Sequence, residues 1–318
     1  MRFNLPVLVY QEKNCVHNHA DEIAQMGKNA LIVTGRNSSK KNGSLDDVIN
    51  ALKSKNIKYT VYDGVEENPS VETVMEAREI GVKAGCDFII GIGGGSPMDA
   101  AKAIGVMIYH KNENKDFLYK SVSNSQSLPV IEVPTTCGTG SEVTTVAVLT
   151  VHNEKTKKSM SHRIFPRMAL VDEKYIKNAP LKVICDTAID ALAHIVESCI
   201  NNNATEYSKM FAKEGLEAWS KFKDVLLGNR EATDEDFHNM MYASTLAGMC
   251  IAHAGTSLPH GLSYPITYEL GIPHGKAVGY FLPGYINEAT DEDKEFVLKA
   301  AGFESVEEFS KFYKKACG

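Results

Sequence analysis

Phe88-Ile89-Ile90-Gly91-Ile92-Gly93-Gly94-Gly95-Ser96-Pro97-Met98-Asp99 joins an apolar run, a glycine turn and a helix start in immediate succession. Phe88 to Ile92 reads as a buried strand. Pro97 suits the first turn of a helix, where a missing N–H costs nothing. Glycines allow close backbone approach to a ligand, and a helix N-terminus offers free N–H groups and the positive end of its dipole. The stretch suits a pyrophosphate; the alternative is a tight structural turn. It departs from G-x-G-x-x-G, because Ser96 stands where the third glycine belongs. The loop also follows the third predicted strand, where a simple dinucleotide-binding unit uses the first.

Outward from this stretch, strand and helix patterns alternate. Ala30–Thr34 reads as a strand ended by Gly35, and Ser44 as the cap of a helix reaching about Lys55. Tyr59–Tyr62 reads as a strand, Pro69-Ser70 as the start of a helix carrying Val74, Ala77 and Ile80, and Leu128–Val133 as another strand. This order predicts a parallel sheet covered by helices, an α/β, Rossmann-like domain over 1–180. Beyond Pro180, helix patterns over 184–200, 205–227 and 233–253 predict an all-helical second domain, 181–318. A second loop, Pro134-Thr135-Thr136-Cys137-Gly138-Thr139-Gly140-Ser141-Glu142, follows its strand directly. Its hydroxyls can bond phosphate or an amide, or simply form a polar surface turn. Two such loops after successive strands share the carboxyl edge of the sheet, where ligands bind.

The chain has 318 residues, 43% of them hydrophobic and 23% charged, which suits a globular protein. A formal net charge of −6 argues against general affinity for nucleic acid or an anionic membrane. No run is apolar enough to span a bilayer, and Met1 to Pro6 lacks a signal-peptide core. The seven cysteines are scattered without a Cys-x-x-Cys pair, which favours reduced thiols and a cytoplasmic location.

Metal-ligating residue types occur downstream at suggestive spacings. Asp190 and His194 lie four apart in a helical pattern and so share one face; a helix-surface Asp–His pair is the alternative. Glu197 is spaced to orient His194 from behind. His260 and His274 sit in matching contexts, Leu258-Pro259-His260-Gly261 and Ile272-Pro273-His274-Gly275, where glycine permits close backbone passage. Three imidazoles and one carboxylate suit Fe(II) or Zn(II). His253 reads as a structural residue at a helix end. His17, His19, His110, His152, His162 and His238 lack comparable partners in the pattern.

The stretches Gly93–Lys102, Pro134–Glu142, Asp190–Glu197 and Leu258–Lys276, in this order along essentially the whole chain, resemble the iron-containing (group III) alcohol dehydrogenase family of dehydroquinate-synthase-like fold. Thr34-Gly35 followed by Ser38–Asp47 is similar to a 1,3-propanediol/butanol dehydrogenase-like branch. The resemblance implies Asp190, His194, His260 and His274 as ligands of a metal between an α/β cofactor domain and a helical domain. It implies Gly94, Gly95, Ser96, Asp99, Thr135, Thr136 and Thr139 as dinucleotide contacts, with Lys157 at the ribose by a looser alignment. It further implies hydride transfer between a nicotinamide cofactor and a short-chain alcohol or aldehyde, and a homodimer or higher homo-oligomer. Two departures stand out. Many relatives carry a second histidine four residues after the third ligand, where this chain has Tyr264 in the substrate pocket. Relatives also continue through further helices past Ala316-Cys317-Gly318.

NAD-preferring relatives place an acidic residue after the first strand, whereas this chain has Gly35 and then Arg36. Glycine leaves room for a 2′-phosphate that Arg36, Ser39 or Lys40 could bind, which favours NADP(H) over NAD(H). Rival readings on the same fold are a glycerol-type polyol dehydrogenase and a dehydroquinate-synthase-like cyclase. A cyclase needs several basic groups, whereas Tyr264, Ile266, Tyr268 and Leu270 are apolar in balance. A nucleotide- and metal-binding remnant without turnover is the non-enzymatic alternative.

Overall fold

A computed structural model of the chain describes residues 3–318. The chain divides into two compact units. One comprises 6–135 and 141–175; the other comprises 176–318, residues 3–5, and Thr136–Gly140.

The first unit is built on six parallel strands: β1 (Leu8–Gln11), β2 (Asn29–Gly35), β3 (Lys58–Val65), β4 (Phe88–Gly93), β5 (Val130–Pro134) and β8 (Met168–Val171), in the order β1-β8-β5-β4-β2-β3. An antiparallel hairpin, β6 (Val148–Val151) and β7 (Thr156–Ser159), stands apart from it. Alternation along the strands feeds two apolar layers. Ala30, Ile32, Phe88, Ile90, Ile131 and Val133 join one layer with Leu45, Val48 and Leu52 of helix α1 (Ser44–Ser54). Leu31, Val33, Ile89 and Val130 join the other, with Val74 and Ala77 of α2 (Val71–Ala84) and Ala100, Ile104 and Met107 of α3 (Gly95–Tyr109). Burial on both faces is why β4 reads as a continuous apolar run.

Several sequence expectations shift in detail. The glycine-rich loop follows the fourth strand, because β1 precedes the strands visible in the sequence. Ser44 is the first residue of α1, not its cap; Gly43, at φ 82°, takes that position. Ser70 does cap α2, accepting a hydrogen bond from the Thr73 N–H.

The second unit is helical. Its central helix α4 (Leu181–Ile200) is buried along nearly its whole length and packs with α5 (Glu206–Ser220) and α6 (Asp234–Ala254). Thr205 and Thr233 start α5 and α6 with reciprocal capping boxes. The expected helix over 205–227 ends at Ser220, and a separate turn, Lys223–Leu226, follows. Then come α7 (Leu258–Leu270), α8 (His274–Gly279) and α9 (Leu282–Asn287). No helix of the described residues is long and apolar enough to cross a membrane. The seven cysteines are all buried and free.

Candidate metal centre and cofactor crevice

In the α/β unit, β2 sends its chain outward to β3, and the chain returns to β4 on the other side of β2. The strand order therefore reverses between β2 and β4, and ligands of such sheets bind beyond the carboxyl ends of those strands. Gly35–Lys40 and Gly93–Ser96 follow those two ends. Gly93 has φ 151°, and a Cβ there would lie 2.5 Å from the Pro97 ring, so only glycine fits the turn. Gly94 caps α3, leaving Gly95 and Ser96 in its first turn, with their N–H groups at the dipole's positive end. The Thr135 N–H donates to the Gly93 carbonyl at 2.8 Å, which ties the second loop to the first.

Other candidate cofactor residues have defined partners. Asp99 accepts from the Ser141 hydroxyl (2.6 Å) and the Val148 N–H (2.8 Å), so its carboxylate binds α3 to the following segments. Lys157 donates to Asn68 Oδ1 (2.8 Å), and the Asn68 N–H donates to Ser96 Oγ (3.0 Å). Asn68 thus brings Lys157 to the glycine-rich loop, a role the sequence signals only through the turn dipeptide Asn68-Pro69. Ser39 is a correction: it is fully buried and bonded to Thr34 Oγ1 at 2.8 Å, so its hydroxyl does not face a phosphate. Lys40 is paired with Asp63 at 2.5 Å, which leaves Arg36 as the exposed cation next to Gly35. Lys40 holds the Asp63 carboxyl below its ordinary range.

Thr136 and Thr139 belong instead to the helical unit. Thr136 Oγ1 is buried without a hydrogen-bond partner.

The helical unit gathers the four metal-ligand candidates. Asp190 Oδ1 lies 4.0 Å from His194 Nε2, 3.6 Å from His260 Nε2 and 3.7 Å from His274 Nε2. Ligand atoms of Asp190, His260 and His274 all fall within 4.8 Å of one another. A tetrahedral ion with bonds of about 2.1 Å holds its donor atoms about 3.4 Å apart, close to this spacing. Asp190 Oδ1 and His260 Nε2 are buried without a hydrogen-bond partner. Orphaned lone pairs converging in this way fit a divalent cation.

The far side of each ring is also engaged. His194 Nδ1 donates to the Gly138 carbonyl at 3.1 Å, His260 Nδ1 bonds Glu197, and His274 Nδ1 lies 3.4 Å from Ser263 Oγ. Hydrogen bonds at Nδ1 fix the tautomer that leaves Nε2 free for a metal. Glu197 is a second correction: it holds His260, while a backbone carbonyl orients His194. Close packing explains the glycine after the fourth ligand candidate, His274. A Cβ on Gly275 would come within 1.8 Å of the Asp186 carbonyl oxygen of α4, whereas one on Gly261 would meet open space.

Charge is concentrated here. Burial opposes ionisation of Asp190, but three nearby imidazoles outweigh it and hold the carboxyl far below its ordinary range. Burial likewise opposes charge on His260, yet the Asp190 and Glu197 carboxylates push it up to about 9. Burial keeps His194 below its ordinary value. His274 is the most open of the four ligand candidates, at 26% side-chain exposure, and Tyr264 stacks on it at 5.8 Å. Of the apolar positions expected near the substrate, Leu270 is exposed at the end of α7. Of the remaining histidines, His253 is structural, bonded to the Met249 carbonyl and stacked on Phe3, and His19 pairs with Glu12 and Glu22.

Residues 6–173 match the family model described as iron-containing alcohol dehydrogenase, and residues 184–305 match the C-terminal model of the same family. The chain belongs to the iron-containing alcohol dehydrogenase family. A butanol dehydrogenase of Clostridium saccharobutylicum, named as NADPH-dependent, is 31% identical over 99% of this chain and 78% of its own length. A long-chain primary alcohol dehydrogenase of Thermoanaerobacter ethanolicus is 32% identical over 81% of this chain, which spans only 65% of that relative. The crystal structure of an iron-containing alcohol dehydrogenase from Thermotoga maritima superposes with a TM-score of 0.92 at 39% identity, covering 99% of this chain and 87% of the other.

Proposed function

We propose that this family member is a metal-dependent alcohol dehydrogenase and aldehyde reductase that transfers a hydride between NADP(H) and a short-chain primary alcohol or aldehyde. The observation carrying this reading is the convergence of His194, His260 and His274 on Asp190, whose Oδ1 is buried, like His260 Nε2, without a hydrogen-bond partner. These four residues would hold Fe(II) or Zn(II). Such a cation would act as a Lewis acid, polarising a carbonyl and stabilising the matching alkoxide, while the nicotinamide supplies the hydride.

The chain's own residues do the rest. Gly94, Gly95 and Ser96 would offer α3's first N–H groups to a pyrophosphate, and Lys157, steadied by Asn68, would reach the ribose. Asp99 and Thr135 hold the loops that shape the crevice. The hydroxyls of Thr136 and Thr139 suit the nicotinamide end. Tyr264 walls the open side of His274 with a phenol in place of a second imidazole, so substrate protons do not pass through a histidine there.

NADP(H) is favoured because Gly35 leaves space at the end of β2 and Arg36 is exposed beside it. The NADPH dependence named for the Clostridium saccharobutylicum relative supports the same choice, and its butanol substrate supports a short primary alcohol. Anaerobic NADPH oxidation with butanal after Fe(II) reconstitution tests the proposal, beside an NADH arm. Turnover favouring NADPH is expected. Tight NADPH binding without turnover across a panel of alcohols and aldehydes would instead mark a nucleotide-binding protein.

A further inference from the structure

Glu197 is fully buried, and among the described residues no lysine or arginine pairs with it. Its donors are His260 Nδ1, the Ser257 N–H at 2.5 Å and the Ser257 hydroxyl at 3.2 Å. The Ser257 oxygen also lies 2.8 Å from the Tyr285 hydroxyl. A serine hydroxyl has one proton. It can go to the Tyr285 oxygen at 2.8 Å or to Glu197 at 3.2 Å; the carboxylate is the stronger acceptor, and giving it the proton turns Tyr285 into the donor to Ser257. The result is an ordered chain from Tyr285 on α9, through Ser257 at the start of α7, to Glu197 on α4 and His260 on α7.

We propose that Glu197, Ser257 and Tyr285 form a positioning relay that fixes His260 as an Nε2 ligand and sets the affinity of the centre for divalent metal. The inference rests on the metal reading above. Two physical arguments carry it. First, one Glu197 oxygen accepts a hydrogen bond from His260 Nδ1–H, so the Nε2 lone pair faces Asp190; the other oxygen is anchored by Ser257 and cannot swing away. Second, a metal at Nε2 displaces the proton that His260 otherwise holds there, which leaves Glu197 a buried carboxylate with neutral donors and in need of a compensating charge. A divalent cation held by Asp190 and three neutral imidazoles leaves one positive charge, and Glu197 balances it through the His260 ring. The sequence hides this chain, because Glu197 shares a helix face with His194 while its true partners lie 60 and 63 residues away.

The test is metal affinity, measured on the full chain by chelator competition with Zn(II), together with the visible spectrum of the Co(II)-loaded protein. Outer hydrogen-bond partners of metal-bound histidines commonly contribute about 10–100-fold in affinity, and Glu197→Gln is expected to lose that much and to shift the Co(II) bands. Ser257→Ala and Tyr285→Phe should each weaken binding by about three- to tenfold, the scale of one neutral hydrogen bond. Because Tyr285 acts through Ser257, the double variant should lose no more than Ser257→Ala alone. Tyr285→Phe and Ser257→Ala keep the proposal open to refutation if Glu197→Gln fails to fold. Two outcomes overturn the relay while sparing the metal centre. In one, His260→Ala loses metal but Ser257→Ala and Tyr285→Phe keep the wild-type affinity and spectrum. In the other, the double variant's losses simply add. Wild-type affinity in His260→Ala would remove the metal reading and the relay with it.

Discussion

Asp190 is the residue on which the proposed chemistry turns. Its Oδ1 faces three imidazole nitrogens and has no hydrogen bond of its own. Local spacing made it visible with His194, since four residues return to the same helix face. The identity of its other partners was legible only as a repeated Pro-His-Gly context, and the assignment of Glu197 was not legible at all. Spacing along one helix cannot weigh a competitor from another. Gly275 shows how tightly His274, the fourth ligand candidate, is placed. Gly275→Ala forces its Cβ into the Asp186 carbonyl, so α4 and α8 must part. A loss of about 1–3 kcal/mol in stability is expected, as for other overpacked sites, with weakened metal retention. Thermal melting and metal analysis check this; an unchanged variant would mean that the α4–α8 contact does not set the site. At the cofactor crevice, a Cβ on Gly35 would meet only the Val65 carbonyl at 3.4 Å, an ordinary contact. Gly35→Asp should therefore fold and shift the NADPH/NADH preference toward NADH, because a carboxylate repels a 2′-phosphate. An unchanged ratio of kcat/KM values would remove the case for a phosphate site beside Arg36.

Among the elements, β4 and the start of α3 were readable because burial on both faces makes the strand uniformly apolar and glycine marks the turn. β1 and β8 were not. Each is four residues long, and β1 is a half-exposed edge whose strand character comes from pairing with β8. The β6–β7 hairpin was missed for a related reason: β7, Thr156-Lys157-Lys158-Ser159, is polar and reads as a basic loop. β5 carries a different surprise, a fully buried Glu132 with neither carboxyl oxygen hydrogen-bonded. Burial pushes its carboxyl well above the ordinary 4.5; Lys102 opposes this, while Asp99 and Glu142 add to it. A carboxyl raised on folding binds its proton more tightly in the native state. Its contribution is fully present below pH 4.5 and is lost as pH rises through the folded value. Glu132→Gln cannot ionise, so its melting temperature should gain on the wild type as pH increases from 5 to about 9. Parallel curves across that range would mean that Glu132 titrates normally.

For the whole molecule, a metal that binds only the folded chain stabilises it by mass action, about 2.7 kcal/mol at a free concentration 100 times the dissociation constant. Stripping the metal should therefore lower the melting temperature of the wild type, and the same treatment should leave Asp190→Asn nearly unmoved. The most direct measurement of the central claim joins metal content to turnover in one preparation. Chelator-stripped wild type, Asp190→Asn and His260→Ala would be reconstituted anaerobically with Fe(II), analysed for bound iron, and assayed for butanal-dependent NADPH oxidation. Stoichiometric iron and turnover are expected in the wild type, with both lost together in the two variants and turnover absent from the stripped protein. Full turnover in the stripped protein, or full iron loading and activity in Asp190→Asn and His260→Ala, would contradict that claim.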